Sequence, residues 1–239
     1  MNIKANLVNL KNKILDIFFP NDIKCIFCDN EVSDGFICDE CLKKNLFNEG
    51  NRCQVCDSPI KEDNIICDHC KRNKRFYQKC FCPLIYEGNV RKSILKFKSD
   101  GAKYLAKPFA ELIFQQIVLK QVEFDVIVPV PSHKKTIKER GYNPAKVIAE
   151  ELSILTGKPV EDALYKTFLT KKQKQLNFEE RQSNLENSIT LLNKTAVFGK
   201  NVLIVDDIIT TSATIDTCAK LMPKAKNIYG CAIARRALK

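Results

Sequence analysis

Hydrophobic positions at the start of the chain recur at helical spacing. Leu7, Leu10, Ile14 and Ile17 form one apolar stripe, so residues 1–20 are predicted to be an amphipathic helix that packs on the protein. Charged residues interrupt this stretch and no small-residue cleavage site follows it, which argues against a secretory signal. The alternative is a helix lying at a membrane interface. No run of 18 apolar residues occurs, so we expect no membrane span.

From about residue 122 the pattern changes to apolar runs that alternate with helical periodicity. FDVIVPV (124–130), NVLIV (201–205) and NIYGCAIA (227–234) are continuous apolar runs of the kind found in strands buried on both faces. Helical patterns follow at about 145–155 and 213–221, and the residues after Pro131 are predicted to be a polar loop. This alternation predicts an α/β fold with a mostly parallel sheet flanked by helices, and ligands at the carboxyl ends of its strands.

Cysteine spacing identifies a small module before this region. Eight of the twelve cysteines form four CxxC pairs separated by 9, 11 and 10 residues. Pairing them in order predicts two closed four-sulfur sites. The ligands are Cys25, Cys28, Cys38 and Cys41 in the first site, and Cys53, Cys56, Cys67 and Cys70 in the second. A cross-braced pairing is the alternative, and zinc is favoured over an iron–sulfur cluster. Such sites are structural, because about 50 residues cannot bury enough apolar surface to fold alone.

The other cysteines and the second-site histidine have simpler interpretations. Cys80, Cys82, Cys218 and Cys231 fall in predicted strands and a helix, where we expect them to pack in the core. His69 is expected to be a bystander, since its CxxC pair already supplies two ligands. Many thiols without a signal sequence indicate a reducing compartment, so we expect a cytoplasmic protein.

Positive charge is concentrated in one part of the chain. The formal net charge is +11, and residues 71–120 contain twelve Lys/Arg against three Asp/Glu, with aromatic residues between them. A solvated face is one interpretation. The functional one is a surface for single-stranded DNA, with cations on phosphates and rings on unstacked bases. The candidate DNA-binding residues are Arg91, Lys92, Lys96 and Lys98.

A candidate phosphate site follows the second apolar strand. The eight glycines are too dispersed for a GxGxxG or GxxxxGK loop. Instead, Asp206 and Asp207 precede a short hydroxyl-rich segment that opens a helix. Two carboxylates can accept hydrogen bonds from a ribose diol, and hydroxyls with helix N-terminal amides can hold a monoester phosphate. The predicted phosphate-binding residues are Thr210, Thr211, Ser212, Ala213 and Thr214.

This segment carries a family resemblance. VLIVDDIITTSAT is similar to the phosphoribosyl-pyrophosphate signature of type I phosphoribosyltransferases, and in particular of the ComF (ComFC) competence proteins. VIVPVPSHKKTIKERGYNPAKVIAEEL, the stretch from Thr170 to Asn184 and the paired zinc ribbons resemble further blocks of that family. The resemblance implies an N-terminal helix (1–20), a double zinc ribbon (21–75) and a phosphoribosyltransferase-like domain (76–239).

The resemblance also implies roles for basic residues. Lys134, Lys135 and Arg140 would face the pyrophosphate and its Mg²⁺, and Lys171, Lys172 and Arg181 would lie on a mobile catalytic loop. Two positions depart from the family: Ser212 replaces a glycine, and Lys166 stands where an arginine is expected. If position 212 needs a positive φ, serine there costs about 1 kcal/mol. His133 is expected to be a loop residue or phosphate donor.

Two functions follow. The first is a competence protein that handles incoming single-stranded DNA, with the DNA helicase of the same system as a partner implied by the resemblance. The second is a salvage or biosynthetic phosphoribosyltransferase that transfers ribose-5-phosphate to a base or amine. The zinc ribbons and the basic segment favour the first, while the intact cradle for phosphoribosyl pyrophosphate keeps the second open.

Overall fold

The computed structural model describes residues 24–32, 34–44, 46–61, 64–167 and 188–236. The predicted N-terminal helix lies outside these residues. The chain divides into two compact units, Met1–Asn45 and Leu46–Lys239. We call these unit 1 and unit 2; the domain boundaries given above remain a prediction.

Unit 1 contains the first two CxxC pairs. Lys24 and Glu31 form an antiparallel bridge around a tight turn, and Asp29 has a left-handed backbone with φ 60°. Helix α1 (Asp39–Leu42) follows the second pair's first cysteine and contains its second.

Unit 2 is built on a parallel sheet. Its strands are β1 (Lys79–Phe81), β2 (Leu84–Ile85), β3 (Val126–Pro129), β6 (Asn201–Ile209) and β7 (Asn227–Arg235). The strand order is β1-β7-β6-β3, with β2 also paired to β7, and all of these pairs are parallel. The predicted α/β class with a mostly parallel sheet is therefore confirmed.

Helices flank this sheet, and caps fix several of their ends. They are α2 (Asp68–Arg72), α3 (Gly88–Ser99), α4 (Ala106–Leu119), α5 (Lys134–Arg140), α6 (Pro144–Thr156) and α7 (Ala213–Lys220). The Asn143 side chain accepts a hydrogen bond from Ala145 N, and Pro144 occupies the first helical position of α6. Gly157, with φ 69°, ends that helix.

Two sequence predictions of local structure need correction. The predicted polar loop after Pro131 contains helix α5, because the His133 ring accepts from Lys135 N at its start and Gly141 ends it in a left-handed conformation. The strand predicted around Cys80 and Cys82 is divided into β1 and β2 at Pro83, which has no N–H to donate to a ladder.

Strand β6 is longer than its apolar run. It continues through Asp206 and Asp207 to Ile209 because β7 provides parallel partners as far as Arg235. Two further strands, β4 (Leu164–Lys166) and β5 (Ile189–Leu191), form an antiparallel pair. This pair brackets residues 168–187, which lie outside the described residues.

The core of unit 2 lies between the sheet and its helices. Cys80, Cys82 and Cys218 belong to the main apolar cluster, and Cys231 is fully buried in β7. The expected core packing of these four cysteines is confirmed. Gly230 is required for close contact, because a Cβ there would lie 2.7 Å from both Cys80 Sγ and Ile215 Cγ2. Helix α7 thus packs directly on the β7 backbone.

In the described part of the chain, no helix is both long and apolar enough to cross a membrane.

Candidate functional site

A polar cleft of about 370 Å³ opens at the carboxyl ends of β3 and β6. Its polar lining comprises Ser132, His133, Thr136, Lys166, Asp206, Asp207 and Thr214. The sheet topology explains this grouping, since parallel neighbours end at the same edge and their following loops meet there. The cleft therefore combines residues from three separated parts of the sequence.

The two aspartates differ in their electrostatic surroundings. Asp207 Oδ2 lies 2.7 Å from Lys98 Nζ on α3, and both side chains are mostly buried. Asp206 Oδ1 accepts a hydrogen bond of 2.8 Å from Asp207 N. Burial, together with the negative charge of Asp207, raises the pKa of Asp206 to about 7, although Lys98 and Lys166 act in the opposite direction. Asp206 thus gains or loses its proton near neutral pH.

The four predicted DNA-binding residues of α3 do not share one environment. Arg91 and Lys92 are exposed, whereas Lys96 and Lys98 are partly buried. Lys98 contacts the aspartate pair directly, so it belongs to the electrostatics of the cleft. Only the first two present their charge fully to solvent.

The segment from Thr210 to Thr214 links β6 to α7. Ser212 adopts a left-handed conformation with φ 62° and ψ 11°, so serine occupies a position that favours glycine. Ala213 N donates to Thr211 Oγ1 at 3.4 Å. Thr214 lines the cleft and Thr210 is exposed. We call residues 210–214 the phosphate loop, after the predicted role.

Six basic residues were predicted to contact the pyrophosphate or to lie on the catalytic loop, and three of them lie within the described residues. Lys134, Lys135 and Arg140 lie on α5, outside the cleft lining, and Lys134 Nζ sits 5.5 Å from the Tyr165 ring. Lys171, Lys172 and Arg181 lie outside the described residues. Lys166 does line the cleft, at the end of β4. It was not among the predicted site residues, although it begins the stretch 166–181 that the family resemblance assigns to a mobile catalytic loop.

The eight CxxC cysteines form two groups in sequential order. Within each group the sulfurs all lie within 4.8 Å of one another, with Cys28 Sγ 3.5 Å from Cys38 Sγ and Cys56 Sγ 3.6 Å from Cys67 Sγ. Tetrahedral zinc with 2.3 Å bonds to sulfur requires sulfurs about 3.8 Å apart. The donor set fits zinc, and cross-bracing is excluded. We call these the unit 1 and unit 2 zinc sites. His69 is not a member of either group.

A buried arginine contacts Cys56, one of the cysteines of the unit 2 zinc site. Arg235, only 2% exposed at the end of β7, donates to Cys56 O and, at 3.8 Å, to Cys56 Sγ. The pKa of Cys56 is lowered to about 4, first by the Cys70 thiol and, against the effect of burial, by Ser58 and the Arg235 charge. Sequence reasoning missed this arginine, because an apolar strand gives no sign that its last residue turns inward.

A second cavity of about 260 Å³ adjoins the other side chains of the phosphate loop. Thr211 and Ala213 line it, as does the exposed ring of Phe76. Its basic side chains are Arg72, Lys74, Arg75 and Lys220, and Lys220 Nζ lies 5.8 Å from the Phe76 ring. Asp216 is the acidic residue in the lining and pairs with Arg75 at 3.4 Å. The lining of this cavity therefore carries four basic side chains and one acidic side chain.

Comparison with known proteins agrees with these features. Residues 14–70 match the double zinc ribbon domain. Competence protein F of Haemophilus influenzae is 25% identical over 85% of this chain and 92% of its own length. Competence protein ComFC of Bacillus subtilis is 24% identical over 84% and 90%. The DNA utilization protein YhgH of Escherichia coli is 24% identical over 83% and 89%.

Solved structures with partial similarity include an adenine phosphoribosyltransferase. It is 18% identical, with a TM-score of 0.38 over 60% of this chain and 75% of that chain. An allosteric regulatory enzyme of purine biosynthesis is 24% identical, with a TM-score of 0.35 over 52% and 24%. Because both TM-scores are below 0.5, the fold is assigned from the strand order and parallel pairing of the sheet and not from these structures. By its sequence similarity to the named competence proteins over most of its length, this chain is a homologue of the ComF (ComFC) competence proteins and carries an N-terminal double zinc ribbon.

Proposed function

We propose that this protein acts in DNA uptake, binding phosphoribosyl pyrophosphate in the cleft and single-stranded DNA on a basic surface. The observation that carries the first part is the convergence of Asp206, Asp207 and Thr214 with Lys166 in one polar cleft. The relatives are named for competence and DNA utilization, which supports the second part.

Ribose-5-phosphate fits the order of groups along the cleft. The carboxylates of Asp206 and Asp207 accept the two ribose hydroxyls, and the phosphate lies at the start of α7 near Thr214. The partial positive charge of the helix N-terminus and the loop amides favour that anion. Ser132, His133, Thr136 and Lys166 then face the pyrophosphate end, where Lys134, Lys135 and Arg140 on α5 add positive potential.

Mg²⁺ is expected to enter with phosphoribosyl pyrophosphate and to neutralise its pyrophosphate oxygens, since Mg²⁺ usually binds substrate phosphates and few protein groups. If the protein turns over, the bond between C1 of the ribose and the pyrophosphate oxygen breaks and an acceptor nitrogen bonds to C1. The electron pair leaves with pyrophosphate, and Lys166 would stabilise that charge.

The DNA surface is proposed to include Arg91 and Lys92 on α3 and the basic second cavity. In that cavity Arg72, Lys74 and Lys220 can contact backbone phosphates, while the exposed Phe76 ring can stack on a base. Binding by these cations depends steeply on salt, because each phosphate contact releases condensed counterions. Lys96 remains a candidate beside them.

A nucleotide-salvage phosphoribosyltransferase is the second candidate function, favoured by the intact aspartate pair. Binding of phosphoribosyl pyrophosphate and of single-stranded DNA is measured for the wild type, for Asp206→Asn/Asp207→Asn and for Arg91→Gln/Lys92→Gln. The competence function predicts that the first variant loses binding of phosphoribosyl pyrophosphate and that the second binds single-stranded DNA more weakly. Release of pyrophosphate with a free nucleobase, unchanged in the second variant, would instead support salvage.

Location and partner are part of the same proposal. Twelve cysteines without a disulfide agree with a reducing cytoplasm. The competence DNA helicase is the partner that the family suggests, and co-purification of the two proteins tests it.

A further inference from the structure

Arg235 connects the unit 2 zinc site to the phosphate loop. Its Nη2 donates to Ser58 Oγ at 2.5 Å and to Thr210 O at 2.9 Å. Its Nη1 donates to the Cys56 carbonyl and lies 3.5 Å from Ser212 Oγ. One fully buried guanidinium therefore holds two residues of a zinc-binding CxxC turn and two residues of the loop.

A second set of contacts runs from the end of the same ribbon to the same loop. Arg75 Nη2 donates to Thr211 O at 3.4 Å, and its Nη1 pairs with Asp216 Oδ2 at 3.4 Å. The backbone N–H of Phe76 donates to Asp216 Oδ1 at 2.8 Å. These contacts hold the carbonyl side of the loop and the first turn of α7 against the segment that follows Cys70.

Two of the acceptors around Arg235, Cys56 O and Ser58 Oγ, belong to the CxxC turn and depend on its shape. That turn is closed by Asp57 N donating to Cys53 O at 2.8 Å and Cys53 N donating to Ser58 O at 2.8 Å, around the ligand sulfurs. Without its metal, a segment this small has little apolar burial to hold it. Loss of the turn would leave a charged donor group buried and unsatisfied, which is costly. The guanidinium, and with it Thr210 and Ser212, would then have to rearrange.

We propose that the unit 2 zinc site holds the phosphate loop in its left-handed conformation through Arg235 and Arg75, so that zinc occupancy of this site sets the affinity of the loop for a sugar phosphate. Arg235 is then a positioning residue. This inference rests on the proposed function for its ligand, but not for the conformational coupling itself.

The direct test uses Arg235→Lys, which keeps a positive charge but lacks the planar fork of donors. We expect it to retain two zincs per chain, to bind phosphoribosyl pyrophosphate about 5- to 150-fold more weakly, and to exchange its loop amides faster. Zinc is measured with a colorimetric chelator, affinity by calorimetry and amide exchange by mass spectrometry. A variant with wild-type affinity and wild-type exchange would overturn the proposal.

The metal itself is tested by matched pairs of cysteine substitutions. Cys67→Ser/Cys70→Ser removes the unit 2 site, and Cys25→Ser/Cys28→Ser removes a site of the same ligand set in unit 1. Only the first is expected to accelerate exchange in residues 210–216. Equal acceleration in both, or in neither, contradicts the coupling. This comparison needs no ligand, so it stands even if the wild type binds no phosphoribosyl pyrophosphate.

A reciprocal measurement covers the case in which the cysteine variants do not fold. If bound zinc raises the affinity for a ligand by some factor, linkage requires that the bound ligand raises the affinity for zinc by the same factor. Saturating phosphoribosyl pyrophosphate should therefore raise the zinc affinity of one site in the wild type, measured by chelator competition, and should not do so in Arg235→Lys. Identical zinc affinities with and without ligand in the wild type, once ligand binding is established, count against the proposal.

Discussion

Lys98 Nζ lies 2.7 Å from Asp207 Oδ2, which joins a residue of the basic segment to a residue of the predicted ribose site. The two come from helix α3 and strand β6, more than a hundred residues apart in sequence. The charge of Lys98 favours the ionised form of Asp206, on which the proposed ribose binding depends. Neutralising all four basic residues of α3 together would therefore disturb the sugar-phosphate site as well as the DNA surface.

Separating these residues gives the first prediction. Arg91→Gln/Lys92→Gln should weaken single-stranded DNA binding and reduce the salt slope by about 1.4, because two phosphate contacts to a single strand are lost. Its affinity for phosphoribosyl pyrophosphate should stay as in the wild type. Lys98→Met serves as the matched variant. It should weaken the binding of phosphoribosyl pyrophosphate more than the binding of DNA. Titration of labelled oligonucleotide at several salt concentrations provides the measurement; the reverse pattern would contradict the assignment.

The second prediction concerns the pH dependence of ligand binding. The pKa of Asp206 is about 7, and an ionised carboxylate accepts stronger hydrogen bonds from a diol than a protonated carboxyl group does. Affinity for phosphoribosyl pyrophosphate should therefore rise between pH 6 and 8. In Lys98→Met the midpoint of this profile should move to higher pH, since Lys98 helps to lower that pKa. Calorimetry in buffers of matched ionic strength measures both profiles, and a flat wild-type profile would refute the role of Asp206.

The third prediction is that the contribution of Asp206 to protein stability falls over the pH range in which ligand affinity rises. Because the pKa of Asp206 is raised in the folded state, its contribution to stability is present below about pH 4 and lost as pH rises through 7. Asp206→Asn keeps the acceptor for Asp207 N but does not titrate. Its melting temperature should match the wild type at pH 4 and exceed it at pH 8, by about 2–4 °C per kcal/mol. Thermal unfolding at both pH values tests this expectation.

The fourth prediction follows from the left-handed backbone of Ser212. Ser212→Gly removes a conformational cost of about 1 kcal/mol, partly offset by the greater entropy of the unfolded chain and the lost hydroxyl. Ser212→Ala keeps the strain and loses the acceptor near Arg235. Stability measured with urea should therefore rank Gly above Ser and Ser above Ala. An alanine variant at least as stable as the glycine variant would show that strain is unimportant there.

Gly230 provides the fifth prediction. Gly230→Ala puts a Cβ 2.7 Å from Ile215 Cγ2, in the helix that the phosphate loop opens, and should destabilise unit 2 by about 1–3 kcal/mol. Gly230→Ala combined with Ile215→Val should recover part of this loss, although Val keeps the nearer Cγ2 atom. Urea denaturation of the single and double variants measures the recovery. If the stability losses of the two single substitutions simply add in the double variant, the new Cβ at position 230 is not limited by its contact with Ile215.

Much of the molecule could be read from the sequence because its signals are local. The spacing of CxxC pairs identified eight ligands and their sequential grouping, since each turn can direct two thiols at one ion. Continuous apolar runs predicted β3, β6 and β7, and the aspartate pair at the end of one of them marked the edge where a ligand would lie. Ser212 was identified as a conformational exception from its place in a motif, and its φ of 62° agrees.

Tertiary structure decided what depends on contacts between distant segments. Charge composition grouped Lys98 with Arg91 and Lys92, but packing of α3 against the sheet edge pairs it with Asp207. Lys166 joins the cleft because β4 ends beside it, and Arg235 turns inward because a zinc ribbon lies over the end of β7. Short-range patterns specify which groups are present, whereas burial and pairing across the fold determine which of them act on one another.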